Sequence, residues 1–277
     1  MTEAEWKRAN RASWDELVGI HLAPGGYDLA DLRAGAGRLN AIEEAELGPV
    51  AGLRVLHLQC HFGRDSLILA QRGADVTGLD FSPPAIAAAR ALAAELGLSV
   101  TARFVEADLY DAQTAIPEPA SFDLVYVTWG AIIWLSDIRR WAKIVASFLK
   151  PGGRLYLAEA HPAALVLDDL TPASGGMPGF YTPYFASAPF AYEMTHDYMN
   201  EAAALRNTRQ YSWIHPLGEV VTGLLDAGLR LDWLHEHDAV AWRMFRCLRE
   251  DEAGLFRWPD KRWLPLSFSL SATRSGA

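Results

Sequence analysis

The run Val55-Leu-His57-Leu passes into Gln59-Cys60-His61-Phe-Gly63-Arg-Asp65, which reads as a strand, a tight turn and the start of a helix. Such a point at the carboxyl end of a strand offers free backbone N–H groups and is where open α/β sheets bind ligands. A second run ends Gly78-Leu-Asp80-Phe81-Ser82, and a third ends Glu106-Ala-Asp108-Leu109. A carboxylate at the second strand end suits a ribose diol, and one at the third can accept from an exocyclic amine. Together the two acids outline a nucleoside. A fifth run ends Ala158-Glu159-Ala160-His161-Pro162, where residues two apart on a strand share a face. Histidine titrates near neutrality and is the natural proton acceptor for a hydroxyl or an amine. His161 is therefore expected to be catalytic; the alternative is a histidine that holds the chain before Pro162.

These residues need strands that deliver them to one rim. From Val55 onward, short β-branched or leucine-rich runs alternate with helical runs, as in parallel strands joined by crossover helices. Strands are expected at 54–58, 75–79, 101–105, 122–127 and 154–158, with helices near 65–71, 84–96 and 137–149. Ser82 is the expected N-cap of the middle helix, a first-turn proline follows it, and Gly97 closes it. Pro151-Gly-Gly should stop the third helix. The first fifty residues carry helical runs at 3–17 and 39–47, split by a glycine-rich stretch, and read as a lid. Periodicity is lost from His161 to about Trp213, in a segment dense in proline, glycine and aromatics. A helix at 216–227 and strands at 229–235 and 266–273 follow. One domain is expected over 1–277: a lid at 1–50, a binding core at 52–160, a cap insertion at 161–213 and the rest of the sheet at 214–277.

Composition narrows the function. Of 277 residues 51% are apolar and 21% charged, enough to bury a sizeable core. Acids outnumber bases 34 to 25, for a net charge of -9, which works against binding a polyanion such as nucleic acid. Two cysteines make no disulfide framework, and the hydrophilic start lacks the apolar core of a signal peptide, so a cytoplasmic location is expected. The longest apolar run, Leu124 to Leu135, is broken by Thr128 and Gly130. It is too short for a bilayer, which needs about 18 residues or more.

In this order of motifs the chain resembles the class I S-adenosylmethionine-dependent methyltransferases from about Gly52 to Glu159. The family's glycine-rich turn falls on His57 to Gly63, its second and third acids on Asp80 and Asp108, its fourth strand on Phe122-Asp123-Leu-Val-Tyr-Val, and its Leu-x-Pro-Gly-Gly turn on Leu149 to Gly153. The resemblance implies an α/β fold with a doubly wound, seven-stranded, mostly parallel sheet closed by an antiparallel pair. It implies S-adenosyl-L-methionine as cofactor, S-adenosyl-L-homocysteine as product, and methyl transfer to a small-molecule acceptor. The cofactor residues it implies are His57, Gln59, Cys60, Gly63, Asp65, Asp80, Phe81, Ser82, Asp108, Leu109, Thr128 and Trp129. The family's first acid is His57 here, and two of its three glycines are Gln59 and His61. A wider turn, or side chains in place of backbone contacts, is expected because only glycine reaches positive φ without cost. Gln59 would then donate to the methionyl carboxylate, and Asp65 would supply the charge that His57 lacks. The Asn/Asp-Pro-Pro-aromatic motif of amino-methylating nucleic-acid enzymes is absent after the fourth strand.

Trp134, Tyr181, Tyr184, His196 and Tyr198 are expected around the acceptor, with Trp14, His21 and Tyr27 closing the other side, since aromatic walls exclude water and can face a sulfonium. A satellite core or a homodimer surface is the alternative for that segment. His57, Cys60 and His61, like His235 and His237, have metal-like spacing, but a strand and turn make side chains diverge and no metal is expected. A nicotinamide oxidoreductase would need an intact Gly-x-Gly-x-x-Gly turn, which does not occur. A non-catalytic protein that binds the cofactor or its product stands as the rival.

Overall fold

The computed structural model describes residues 3–169, 173–197, 200 and 202–276. The long helices are α1 (Glu3–Leu22), α2 (Ala41–Glu46), α3 (Arg64–Gln71), α4 (Pro83–Glu95), α5 (Ile138–Phe148) and α6 (Leu217–Asp226). The strands that matter for the site are β1 (Arg54–Leu58), β2 (Asp75–Asp80), β3 (Ala102–Glu106), β4 (Phe122–Thr128), β5 (Leu149–Ala160), β6 (Phe190–Glu193), β7 (Arg209–Ser212), β8 (Leu229–His237) and β9 (Ser267–Arg274). Seven of them form one sheet in the order β8-β9-β5-β4-β1-β2-β3. β1 pairs parallel with β2, and β2 with β3, whereas β9 is antiparallel to both β5 and β8. The expected doubly wound α/β sheet with its antiparallel pair is thus present.

The chain divides into two compact units. The first comprises residues 1–38, 49–122 and 190–212; the second comprises 39–48, 123–189 and 213–277. In the first, β1 and β2 are buried along nearly their whole length, which explains their unbroken apolar runs. The parallel register sets Leu58 beside Leu79 and Asp80 beside Glu106, so the acids of neighbouring strands reach one rim. Ser82 caps α4 by accepting from the Ala85 amide at 3.4 Å, and the proline pair occupies the first turn. Gly63 begins α3 at φ +78°. A Cβ there would lie 2.6 Å from the Phe104 ring, so no other residue fits.

The 161–213 segment is divided between the units, with 190–212 in the first. There β6 and β7 pair as an antiparallel hairpin held by α1. Asn10 donates from Nδ2 to the Tyr211 carbonyl and accepts the Tyr211 amide at Oδ1, both at 2.8 Å. Gln210 Nε2 donates to Ser13 Oγ at 2.6 Å inside the core, and Glu16 takes the amides of Arg206 and Asn207. Burial opposes ionisation of Glu16, yet these donors pull its carboxyl down to about 2.

In the second unit, α5 buries Ile138, Trp141, Ile144, Val145 and Phe148 on one face and is capped by Asp137, which accepts the Arg140 amide at 2.8 Å. Removing Trp141 and Phe148 from water contributes roughly 2–3 kcal/mol each, more than the helix's intrinsic propensity. α5 ends before Pro151, as expected, but the following turn is absorbed into β5, which starts at Leu149 rather than Arg154. Two-residue ladders, Leu167–Asp168 with Gly179–Phe180 among them, account for much of the remainder. No helix among the described residues is long and apolar enough to cross a membrane.

Candidate functional site

In the first unit, the β1 turn and the end of β2 converge on Asp80. This carboxylate is 6% exposed and accepts the His61 amide at Oδ2 (2.9 Å) and the Ser82 amide at Oδ1 (3.0 Å). The Phe81 amide also bonds this carboxylate, so the charged form is held by three backbone donors. Burial pushes the carboxyl up to about 6 against those amide bonds, with Asp15 adding repulsion. Cys60 lies beneath the turn: its amide donates to the Leu79 carbonyl at 2.9 Å, and its thiol packs where a side chain at residue 78 would have to go. Only glycine fits at 78.

The turn itself is not widened. Gln59 and His61, at the family's glycine positions, take up φ +59° and +51°. The left-handed backbone is retained and its strain, of order 1–2 kcal/mol per residue, is carried by non-glycine residues. Strain of this kind gathers where function demands a backbone shape. Trp129, in the turn after β4, is another such residue at φ +46°.

His57 is buried and its Nδ1 shares a hydrogen bond with Ser66 Oγ at 2.8 Å. Burial lowers it to about 3, so it is neutral and supplies no charge. Asp65 pairs with Arg64 at 2.8 Å, and its charge is committed there; burial raises its carboxyl while Arg64 opposes this. Asp108 caps the turn at Leu109 by accepting the Tyr110 amide at 2.9 Å, and its other oxygen holds Lys7 Nζ at 3.0 Å. Leu109 is buried and Phe81 half-buried. Ser82 Oγ donates to Asp15 Oδ1 at 2.6 Å. The rim of β2 and β3 is thus faced by α1 through Lys7, Asp15 and Arg11, the last pairing with Glu106 at 3.5 Å.

In the second unit, Thr128 ends β4 in a buried position. Trp129 spends its indole N–H on Glu43 at 2.6 Å, and Tyr126 donates its hydroxyl to the same buried carboxylate. Glu159, wholly buried, accepts the amides of Gly130, Ala131 (2.7 Å) and Ile132 (3.0 Å). It shapes the turn after β4 from within and has no oxygen turned outward. His161 is 5% exposed. Its Nδ1 accepts the Ala163 amide at 3.0 Å, and its Nε2 lies 2.9 Å from Glu236. The Ala163 bond fits a turn-holding role, while Nε2, though close to Glu236, makes no hydrogen bond of good geometry.

Of the residues expected around the acceptor, Trp134, Tyr181 and Tyr184 belong to the second unit and His196 to the first. Tyr181 and Tyr184 share a shallow hollow of about 480 Å³ with Val166 and Phe180, but the Tyr184 hydroxyl accepts the Leu217 amide at 3.0 Å at the start of α6. Trp134 sits in a turn at 132–134. His196 is exposed and bonds Thr195 Oγ1, and Tyr198 lies outside the described residues. Missed from sequence was a buried chain in the first unit: His61 Nε2 to His21 Nδ1 at 2.8 Å, and His21 Nε2 to Asp197 Oδ2 at 2.9 Å. Its members are 40 and 176 residues apart, a spacing no local motif reveals. His57 and His61 point to different partners, and among the described residues no group of three or more histidines, cysteines or acids is placed to hold a metal.

Residues 55–153 match the model of a methyltransferase domain. The chain is similar over 84% of its length to a solved S-adenosylmethionine-dependent methyltransferase from Mesorhizobium loti (TM-score 0.60, 23% identity, 96% of that chain covered). The chain thus has the fold of S-adenosylmethionine-dependent methyltransferases, and residues 55–153 are similar to their methyltransferase domain. Among curated proteins, it is 34% identical over 120 residues to a ubiquinone biosynthesis O-methyltransferase of Xanthomonas euvesicatoria, covering 43% of this chain and 48% of that one. It is 38% identical over 112 residues to a demethylmenaquinone methyltransferase of Thermus thermophilus, covering 39% and 48%. The chain thus spans about half the length of the curated relatives it matches. The CcbJ methyltransferase of Streptomyces caelestis shares the fold over 97% of this chain and 99% of its own (TM-score 0.60, 15% identity).

Proposed function

We propose that this protein transfers a methyl group from S-adenosylmethionine to a small-molecule acceptor. Asp80 carries the reading. It closes β2 beside a left-handed turn as a buried carboxylate fixed by backbone amides, with acceptor capacity left on its oxygens for ribose hydroxyls. The residues present therefore fit a nucleoside. Asp108 already holds an ammonium and suits an adenine amine, and the Gln59–Gly63 turn is left for the methionyl portion. When bound, S-adenosylmethionine supplies an electrophilic methyl group on a sulfonium sulfur. The protein's part is to orient the partners and exclude water, which can provide most of the acceleration of an in-line displacement. His161 holds the turn into Pro162 through its Nδ1 and stands as an untested candidate base through its Nε2. The net charge of -9 supports a compact acceptor over a polyanion. The name of the Xanthomonas euvesicatoria relative, ubiquinone biosynthesis O-methyltransferase, supports an oxygen acceptor as the class to try first.

Calorimetric titration with S-adenosylhomocysteine tests the reading. The wild type should bind, and Asp80→Ala should weaken binding about 10- to 100-fold, as expected for lost hydrogen bonds to a charged group. No heat from the wild type at millimolar ligand would overturn it.

A further inference from the structure

The chain Asp197–His21–His61 brings together the hairpin, the C-terminal half of α1 and the β1 turn, all within the first unit. Asp197 is 1% exposed and His21 is fully buried. Asp197 Oδ1 accepts the Asn200 amide at 2.7 Å, which leaves Oδ2 to accept from His21 Nε2–H. A His21 ring that carries one proton, donated from Nε2 to Asp197, accepts at Nδ1, and His61 then donates from Nε2–H. This arrangement sets one tautomer at each ring. The consequence appears at the far end: His61 Nδ1 carries a bare lone pair, with no hydrogen-bond partner among the described residues. His61 is half-buried, walled by Trp14 and Phe62 with ring centroids at 5.3 and 4.8 Å. Its own amide is bonded to Asp80, which fixes the ring one residue from the nucleoside acid. Burial, with His21 beside it, lowers His61 to about 3, so the ring is neutral and able to accept.

We infer that His61 is the catalytic proton acceptor of the transfer, with His21 and Asp197 as positioning residues, and that the acceptor substrate bears a dissociable proton on oxygen or nitrogen. This rests on the methyl-transfer reading above. As the acceptor's lone pair bonds to the methyl carbon, the carbon–sulfur pair remains on sulfur and the acceptor's proton passes to His61 Nδ1. The positive charge of the sulfonium ends on the imidazolium, opposite the Asp197 carboxylate at the end of the chain.

Two measurements on the full chain test this. The first is nitrogen-15 NMR of the histidine rings, which needs no acceptor. His61 and His21 should both be Nε2–H tautomers. In Asp197→Asn the Asn200 amide keeps the oxygen, the new amide N–H₂ faces His21, and both rings should switch to Nδ1–H. Nδ1–H on His61 in the wild type, or no switch in Asp197→Asn, would overturn the inference. The second uses S-adenosylhomocysteine formation over a panel of dihydroxybenzoates, hydroquinols and primary amines. His61→Gly suits the positive φ at that position and should keep product binding within about threefold while lowering kcat about 100-fold, a typical share for a general base. Millimolar imidazole should restore part of that loss. Unchanged kcat in His61→Gly with normal binding would remove His61 from the reaction while leaving methyl transfer standing. Failure of the wild type to bind S-adenosylhomocysteine would instead strike the reading beneath it.

Discussion

Asp80 is the residue whose charge state has the clearest consequence. Its carboxyl is raised from the ordinary range to about 6, chiefly by burial. A raised carboxyl means the folded protein resists ionising it: this group favours folding most at low pH, and that contribution declines as pH rises from about 4 to 6. Ligand binding runs the opposite way. Two ribose hydroxyls donate, and only the ionised carboxylate offers both oxygens as acceptors. The dissociation constant for S-adenosylhomocysteine should be flat above pH 7 and weaken about tenfold by pH 5. Titrations across that range check this, and Asp80→Asn should bind weakly with no such pH dependence. At this scale the sequence was a good guide to the acids on the strand ends and a poor one to their neighbours. Asp80 and Asp108 could be placed by the strand pattern alone. The pairing of Asp65 with Arg64, the neutrality of His57 and the burial of Glu159 under the β4 turn depend on side-chain direction, which spacing does not encode.

Elements with strong periodicity were legible to within a few residues: β1, β4, α4 and α5 lie almost where apolar runs and caps put them. The β6–β7 hairpin was not. Its strands are four residues each, too short for alternation to register, and its partner is a helix some 200 residues earlier. The contact that matters there is Asn10, whose amide group presents a donor and an acceptor to the Tyr211 backbone as a third strand would. Asn10→Ala leaves both Tyr211 groups unpaired, at a cost of about 1–3 kcal/mol. Hydrogen exchange should show the Tyr211 amide opening about 10- to 100-fold faster, while β1 and β2 amides keep their protection. Equal acceleration across the sheet would mean that hairpin and sheet open as one cooperative body.

At the scale of the whole molecule, both compact units draw on segments far apart in the chain. In the first, the N-terminal helix and the hairpin complete each other's polar bonds. Composition and periodicity are blind to such interleaving; only long-range pairing reveals it. Membership of the fold, by contrast, was carried by local order along the sheet and so was readable.

The two cysteines turn this packing into an instrument. Cys60 is 4% exposed beneath the β1 turn, with its thiol pushed well above the ordinary range by burial and by Asp80. Cys247 is only half-buried. A thiol-reactive dye should therefore mark one sulfur per native chain, at Cys247, and two in denaturant. The slow second labelling event would then clock each excursion of the binding turn away from the sheet, and saturating nucleoside should stop that clock.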